Sequence, residues 1–234
     1  MVRPPSTAPL VPAIDVRALS KLHGSTAALL DVTFSVAPGH LVAVLGAPGS
    51  GKTTLLKLLV GHVTPTGGRV RVEGIDLRAA RLALTGRIGY VSQFRIDLGT
   101  MRPLDVLEFG ARARQIPPQQ LEGRLEQVTA VCELDGELRA PFRRLSTLGR
   151  ARVALAQALM HEPSVLLLDE LLTGLDDGGI LAIVRVLERL RGGITLVVSG
   201  APGIDAALAA DRSLQLEGGR LASDSVLADR LVPR

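Results

Sequence analysis

Gly46-Ala47-Pro48-Gly49-Ser50-Gly51-Lys52-Thr53 follows directly on the apolar run Leu41-Val42-Ala43-Val44-Leu45 and opens the helical stretch Thr53 to Val60. A short, wholly apolar run reads as a strand buried on both faces, so the order is strand, glycine loop, helix. Gly46, Gly49 and Gly51 carry no side chains to keep backbone N–H groups off a phosphate chain, and the helix aims its positive dipole end at the same point. In loops of this pattern the lysine, here Lys52, reaches the terminal phosphates and the hydroxyl, here Thr53, ligates Mg2+. Ala47, Pro48, Ser50 and Thr54 complete the candidate phosphate site. The implied ligand is a purine nucleoside triphosphate. The chain has no asparagine, so the Asn-Lys-x-Asp box that reads guanine is excluded.

Downstream, Val165-Leu166-Leu167-Leu168 is a second apolar strand, and it ends on Asp169-Glu170. Two carboxylates at a strand end lie at the carboxyl edge of an open α/β sheet, where ligands of such sheets bind. Asp169 is suited to hold Mg2+, and Glu170 to orient and deprotonate an attacking water.

Further strands are expected at Ala13–Val16, Val32–Val36, Arg69–Glu73, Arg87–Gln93 and Thr195–Ser199, with helices at Pro118–Leu134, Ala151–Met160 and Gly179–Arg191. Strands alternating with helices imply a largely parallel sheet. Residues from about 94 to 144 differ in character, with Pro103, Pro117, Pro118 and Pro141 punctuating helical segments, and read as a helical insertion into the α/β core.

The length of 234 residues suffices for an independent core. Hydrophobic content is 47%, yet the longest apolar runs are about five to seven residues, far short of a membrane span. Residues 1–12 are proline-rich where an export signal would be apolar, so they read as a flexible tail and the chain as cytoplasmic. The single Cys132 forms no internal disulfide and reads as a packed core residue. A net charge of +4 is spread diffusely, and four Phe and one Tyr offer little to stack bases, so nucleic acid is not the expected partner.

The ordered set of motifs resembles the ATP-hydrolysing subunit of the ABC transporter family over about residues 13 to 230. The carrying residues are the glycine loop, Gly89-Tyr90-Val91-Ser92-Gln93, Leu145-Ser146-Thr147-Leu148-Gly149, Asp169-Glu170 and Thr173-Gly174-Leu175-Asp176. The resemblance implies an α/β P-loop NTPase with a RecA-like parallel core, an N-terminal antiparallel β subdomain and a helical subdomain at about 94–150, within one nucleotide-binding domain over 13–234. It implies ATP and Mg2+ as ligands, with Gln93 touching the metal alongside Thr53 and Asp169. It also implies a membrane permease docked on the helical subdomain, a second ATPase subunit forming a homo- or heterodimer, an external substrate-binding protein in importers, and a place on the cytoplasmic face of the membrane. The stretch from Phe94 to Leu107 is similar to metal-ion importers of the family.

Three departures stand out. The family's signature, Leu-Ser-Gly-Gly-Gln, is offered to the partner's ATP. Here Leu148 replaces the glycine whose backbone must approach that ATP's γ-phosphate closely, so Ser146, and Gly149 by a one-residue shift, are the candidates for that contact. Gly200 stands where the family has a histidine that contacts the γ-phosphate. His23 takes the place of an aromatic that stacks on adenine. The resulting expectation is secure ATP binding with weak or asymmetric hydrolysis. Alternatives are a nucleotide-gated regulatory subunit or an ABC-type ATPase without a permease, although the latter carry coiled-coil insertions or tandem ATPase domains absent from this sequence.

Overall fold

The computed structural model of the chain describes residues 11–80, 84, 86–92, 98–134 and 136–226. In chain order its elements are β1 (Ile14–His23), β2 (Thr26–Val36), β3 (Leu41–Leu45), α1 (Lys52–Leu59), β4 (Gly67–Val72), β5 (Ile75–Asp76) and β6 (Ile88–Val91). There follow α2 (Pro103–Ala113), α3 (Pro118–Cys132), α4 (Thr147–Leu159), β7 (Val165–Leu168) and α5 (Asp177–Leu190). The last are β8 (Thr195–Gly200), α6 (Ile204–Ala207), β9 (Arg212–Glu217) and β10 (Arg220–Val226).

These strands form two sheets, one antiparallel in the order β2-β1-β4-β5 and one in the order β10-β9-β3-β8-β7-β6. In the larger sheet β9, β3, β8, β7 and β6 are parallel, and β10 runs antiparallel to β9. Alternation along β3 divides the core. Leu41, Ala43 and Leu45 join the helices α2 to α5 on one face, while Val42 and Val44 join α1 and the antiparallel sheet on the other. Both faces are covered, which is why this strand reads as an unbroken apolar run.

β1 and β2 are much longer than their sequence suggests. The buried positions Val16 and Leu19, and Leu29 and Val32, lie three apart rather than two. Register shifts interrupt the ladder there, and Ala18 and Asp31 take positive φ of 47° and 53°. Such irregularities switch the face each side chain occupies and erase the period-2 signal. The β9–β10 hairpin adds two strands beyond those the sequence suggests. Its two-residue turn, Gly218-Gly219, has φ of 53° and 78°, the conformation a tight hairpin requires.

Helix starts fall two to four residues earlier than expected at α4 and α5 because capping side chains set them. Ser146 accepts the Gly149 N–H at 3.0 Å, and Asp176 accepts the Gly179 N–H at 2.8 Å. Asp176→Ala should cost about 1 kcal/mol, read as a lower urea midpoint at unchanged slope. An unmoved midpoint would show that this cap contributes nothing.

Between β6 and β7 the described chain is helical. α2, α3 and α4 share a core with Leu107, Ala111, Val128 and Cys132. Cys132 is fully buried, and burial pushes its thiol up to about 12. Glu133, closing α3 in a left-handed conformation, ion-pairs with Arg152 of α4 and, at 2.8 Å, with Arg189 of α5. Among the described residues no helix is long and apolar enough to cross a membrane.

Candidate active site

Strand register brings the candidate residues to one edge. Leu45 pairs with Gly200, Val198 with Leu168, and Leu168 with Val91. The chain therefore leaves β3 into the glycine loop, β7 into Asp169 and β8 into Ala201 side by side, at the carboxyl edge.

The loop is shaped by close backbone approach. A Cβ at Gly46 would meet Ser50 Oγ and stand 2.5 Å from the Leu216 carbonyl, and one at Gly51 would stand 2.7 Å from the Ala28 carbonyl. Gly51 also has φ of 107° and caps α1 without a side-chain hydrogen bond, which leaves the helix's first turn open to an anion. The far side of the loop is braced by the hairpin turn. Gly219 N–H donates to the Ser50 carbonyl at 3.1 Å, and its own carbonyl accepts from Leu30 N–H at 2.8 Å.

Lys52 is buried, 5% exposed, and its ammonium donates to the carbonyls of Gly46 at 2.7 Å and Ala47 at 3.1 Å. It also lies 3.4 Å from Glu170 Oε1. Thr53 Oγ1 donates to Asp169 Oδ1 at 3.1 Å, which leaves the hydroxyl's lone pairs available to a cation. A cleft of 260 Å³ lies above, lined by Ala28, Pro48, Gly49, Lys52, Thr54 and Glu170, with Thr53 beneath them. The glycine cradle, a buried ammonium and a hydroxyl paired with a carboxylate fit a phosphate chain carrying Mg2+.

Asp169 is 1% exposed and accepts hydrogen bonds from three hydroxyls. Besides Thr53, Ser199 Oγ donates to Oδ1 at 2.9 Å and Tyr90 OH to Oδ2 at 3.2 Å. Burial, and then the negative charge of Asp169, push the Tyr90 phenol up, so it stays protonated and donates. Glu170 holds φ of 51°, a left-handed conformation that costs a residue with a Cβ on the order of 1–2 kcal/mol. Its N–H donates to Ser199 Oγ at 3.0 Å, and Thr173 Oγ1 stands 3.5 Å from its carboxylate.

None of the remaining candidates that the structure describes lines the cleft. His23 is exposed at the end of β1 and does not line the cleft, and Gln93 lies outside the described residues. Ser146 is exposed at the start of α4. Leu148 is half-buried against the helical core. Gly149 is buried, its amide taken by Ser146, and a Cβ there would lie 2.8 Å from the Glu137 carboxylate. The Gly149 amide thus serves the helix start. At Gly200 a Cβ would lie 2.9 Å from Ile204 Cγ2, so the isoleucine packs where a side chain would begin. Tyr90, Ser199 and Ile204 had no assigned role in the sequence; a polar residue closing an apolar strand was the one available signal for Ser199.

The ABC transporter family model matches residues 29–173. The zinc import ATP-binding protein ZnuC of Paracoccus denitrificans is 38% identical over 188 residues, covering 78% of this chain and 65% of that protein. The Nod factor export ATP-binding protein I of Neorhizobium galegae is 29% identical over 228 residues, covering 95% of this chain and 65% of that one. The chain thus spans about two-thirds of these curated relatives' length. Among solved structures, cbiO1 from Clostridium perfringens, part of the ABC transporter complex cbiONQ, superposes with a TM-score of 0.83 at 26% identity, covering 92% of this chain and 88% of that one. The family match runs through both the glycine loop and the carboxylate pair, and the chain belongs to the ABC transporter family.

Proposed function

We propose that this chain binds and hydrolyses ATP on the cytoplasmic face of a membrane, driving a separate permease, and that its hydrolysis is weak unless a second ATPase subunit completes the site. The observation that carries this reading is the convergence of Lys52, Thr53, Asp169 and Glu170 within 3.4 Å pairwise contacts at one sheet edge. Loop amides and Lys52 bind the phosphates, which take over from the Gly46 and Ala47 carbonyls as the ammonium's partners. Thr53, Asp169 and, from the resemblance, Gln93 would hold Mg2+, which when bound would neutralise charge on the triphosphate. Glu170 accepts a proton from water as the water oxygen bonds to the γ-phosphorus and the bond to the ADP oxygen breaks.

Weak turnover follows from what is absent. Gly200 offers no donor to the developing charge, and removal of one such donor commonly costs about a hundredfold. On the opposite face, Leu148 stands where the signature needs a glycine. A homodimer repeats both defects, whereas a partner with an intact signature removes the second at this chain's site and leaves Gly200 as it is. An exposed apolar groove beside β6 supports permease docking: a 490 Å³ hollow lined by Met101, Phe109, Phe142 and Val153, with Phe109 68% exposed. The relatives include a named importer and a named exporter, and we assign cargo and direction to the membrane partner.

The purified chain should bind ATP with Mg2+ yet turn it over slowly, and should co-purify from detergent extracts with a polytopic membrane protein. A rate ordinary for an ABC ATPase from the chain alone would overturn the asymmetric reading. Recovery only as free protein, or on ribosomes or DNA, would overturn the transport reading.

A further inference from the structure

We infer that Ser199 is a positioning residue that locks the metal-binding and water-activating carboxylates into one unit. The inference rests on the ATPase reading above and adds to it a residue outside the family motifs quoted. Ser199 is fully buried at the carboxyl end of β8, the strand that separates the glycine-loop strand β3 from the carboxylate strand β7. Its hydroxyl is used twice. The proton goes to Asp169 Oδ1 at 2.9 Å, and the oxygen accepts the Glu170 N–H at 3.0 Å.

Each contact addresses a separate difficulty. Asp169 Oδ1 also accepts Thr53, so Thr53, Asp169, Ser199 and the Glu170 backbone form a continuous chain of hydrogen bonds from the phosphate loop to the proposed base. Glu170 sits in a left-handed conformation that is unfavourable unless its surroundings hold it there. Without Ser199 Oγ that amide loses this acceptor, and the alanine methyl that takes its place at a fully buried position offers none. The adjacent position is glycine, with Ile204 packed over it, so the contribution of β8 to the carboxylate pair comes through Ser199.

Ser199→Ala should therefore lower single-turnover hydrolysis of labelled ATP by about 10- to 100-fold, the range for loss of a group that orients a metal ligand. The Mg2+ concentration needed for half-maximal ATP binding should rise about 10-fold. ADP affinity measured without added metal should stay within about threefold, since the loop contacts are untouched and this also reports that the variant folds. Ser199→Thr keeps the hydroxyl and should recover most of the rate. Thr195→Val serves as the comparison. It removes another buried hydroxyl, which accepts Gly39 N–H at 3.0 Å at the opposite end of the same strand, and should lose stability without a matching loss of rate.

A Ser199→Ala protein with the wild-type rate and Mg2+ requirement would overturn the inference while leaving the ATPase reading standing. So would a Thr195→Val protein that loses as much rate as Ser199→Ala. A wild-type chain that neither binds nor hydrolyses ATP would overturn the ATPase reading, and the role of Ser199 with it.

Discussion

Glu170→Gln should lower single-turnover ATP hydrolysis about a thousandfold and leave ATP bound, within the range for removing a general base. The substitution preserves size and keeps the backbone N–H bonded to Ser199, so the left-handed turn and the loop beside it have no reason to move. What it removes is the acceptor for a proton from water. It also removes the charge 3.4 Å from the Lys52 ammonium, but that ammonium retains the Gly46 and Ala47 carbonyls, and phosphates in their place. Binding should thus survive where chemistry does not. A variant that keeps more than about a tenth of the wild-type rate would remove Glu170 from the role of base.

Restoring the missing imidazole should have the second largest effect, in the opposite direction, and only as a pair of substitutions. Gly200→His alone should gain little, because the new Cβ would stand 2.9 and 3.1 Å from the Ile204 methyl carbons. Gly200→His with Ile204→Ala opens that space and should raise turnover about a hundredfold, the usual worth of one donor aimed at developing charge. Steady-state phosphate release from the single and double variants decides the matter. Equal rates would mean that the imidazole is not what limits this site. Leu148→Gly is a poorer route, since Leu148 packs against the helical core and its removal leaves a void there.

The strand, loop and helix at 41–60 were legible because every local signal agrees: an apolar run, glycines where the backbone turns, and a helix beginning at the loop. The paired carboxylates were legible for the same reason. β1 and β2 were not, because the irregularities around Ala18 and Asp31 shift buried positions from two apart to three, and these strands, covered on one face, have no unbroken apolar run to replace the lost alternation. The β9–β10 hairpin could have been read from its Gly-Gly turn between strand-like runs, but Arg212 to Val226 is polar enough to pass for loop. Ser199 shows a different limit. Residues 195–199 already read as a strand, but no local pattern says that this strand lies between the loop strand and the carboxylate strand. Strand order arises from packing along the whole chain. The same applies to Ile204, whose four-residue distance from Gly200 becomes contact only through the turn into α6.

The brace beneath the glycine loop also bears on how the site comes into being. Residues 46–53 leave the ribosome early, yet the strand that carries them, β3, lies between β8 and β9, and the Ser50 carbonyl is held by Gly219. Contacts so distant in sequence are slow to close, and a nascent chain cannot make them before its later part has emerged. During synthesis the loop should therefore lack a fixed concavity, and affinity for nucleotide should appear only once the later strands have paired. ATP binding in this chain thus reports that the fold has closed, as much as it reports the presence of the motif.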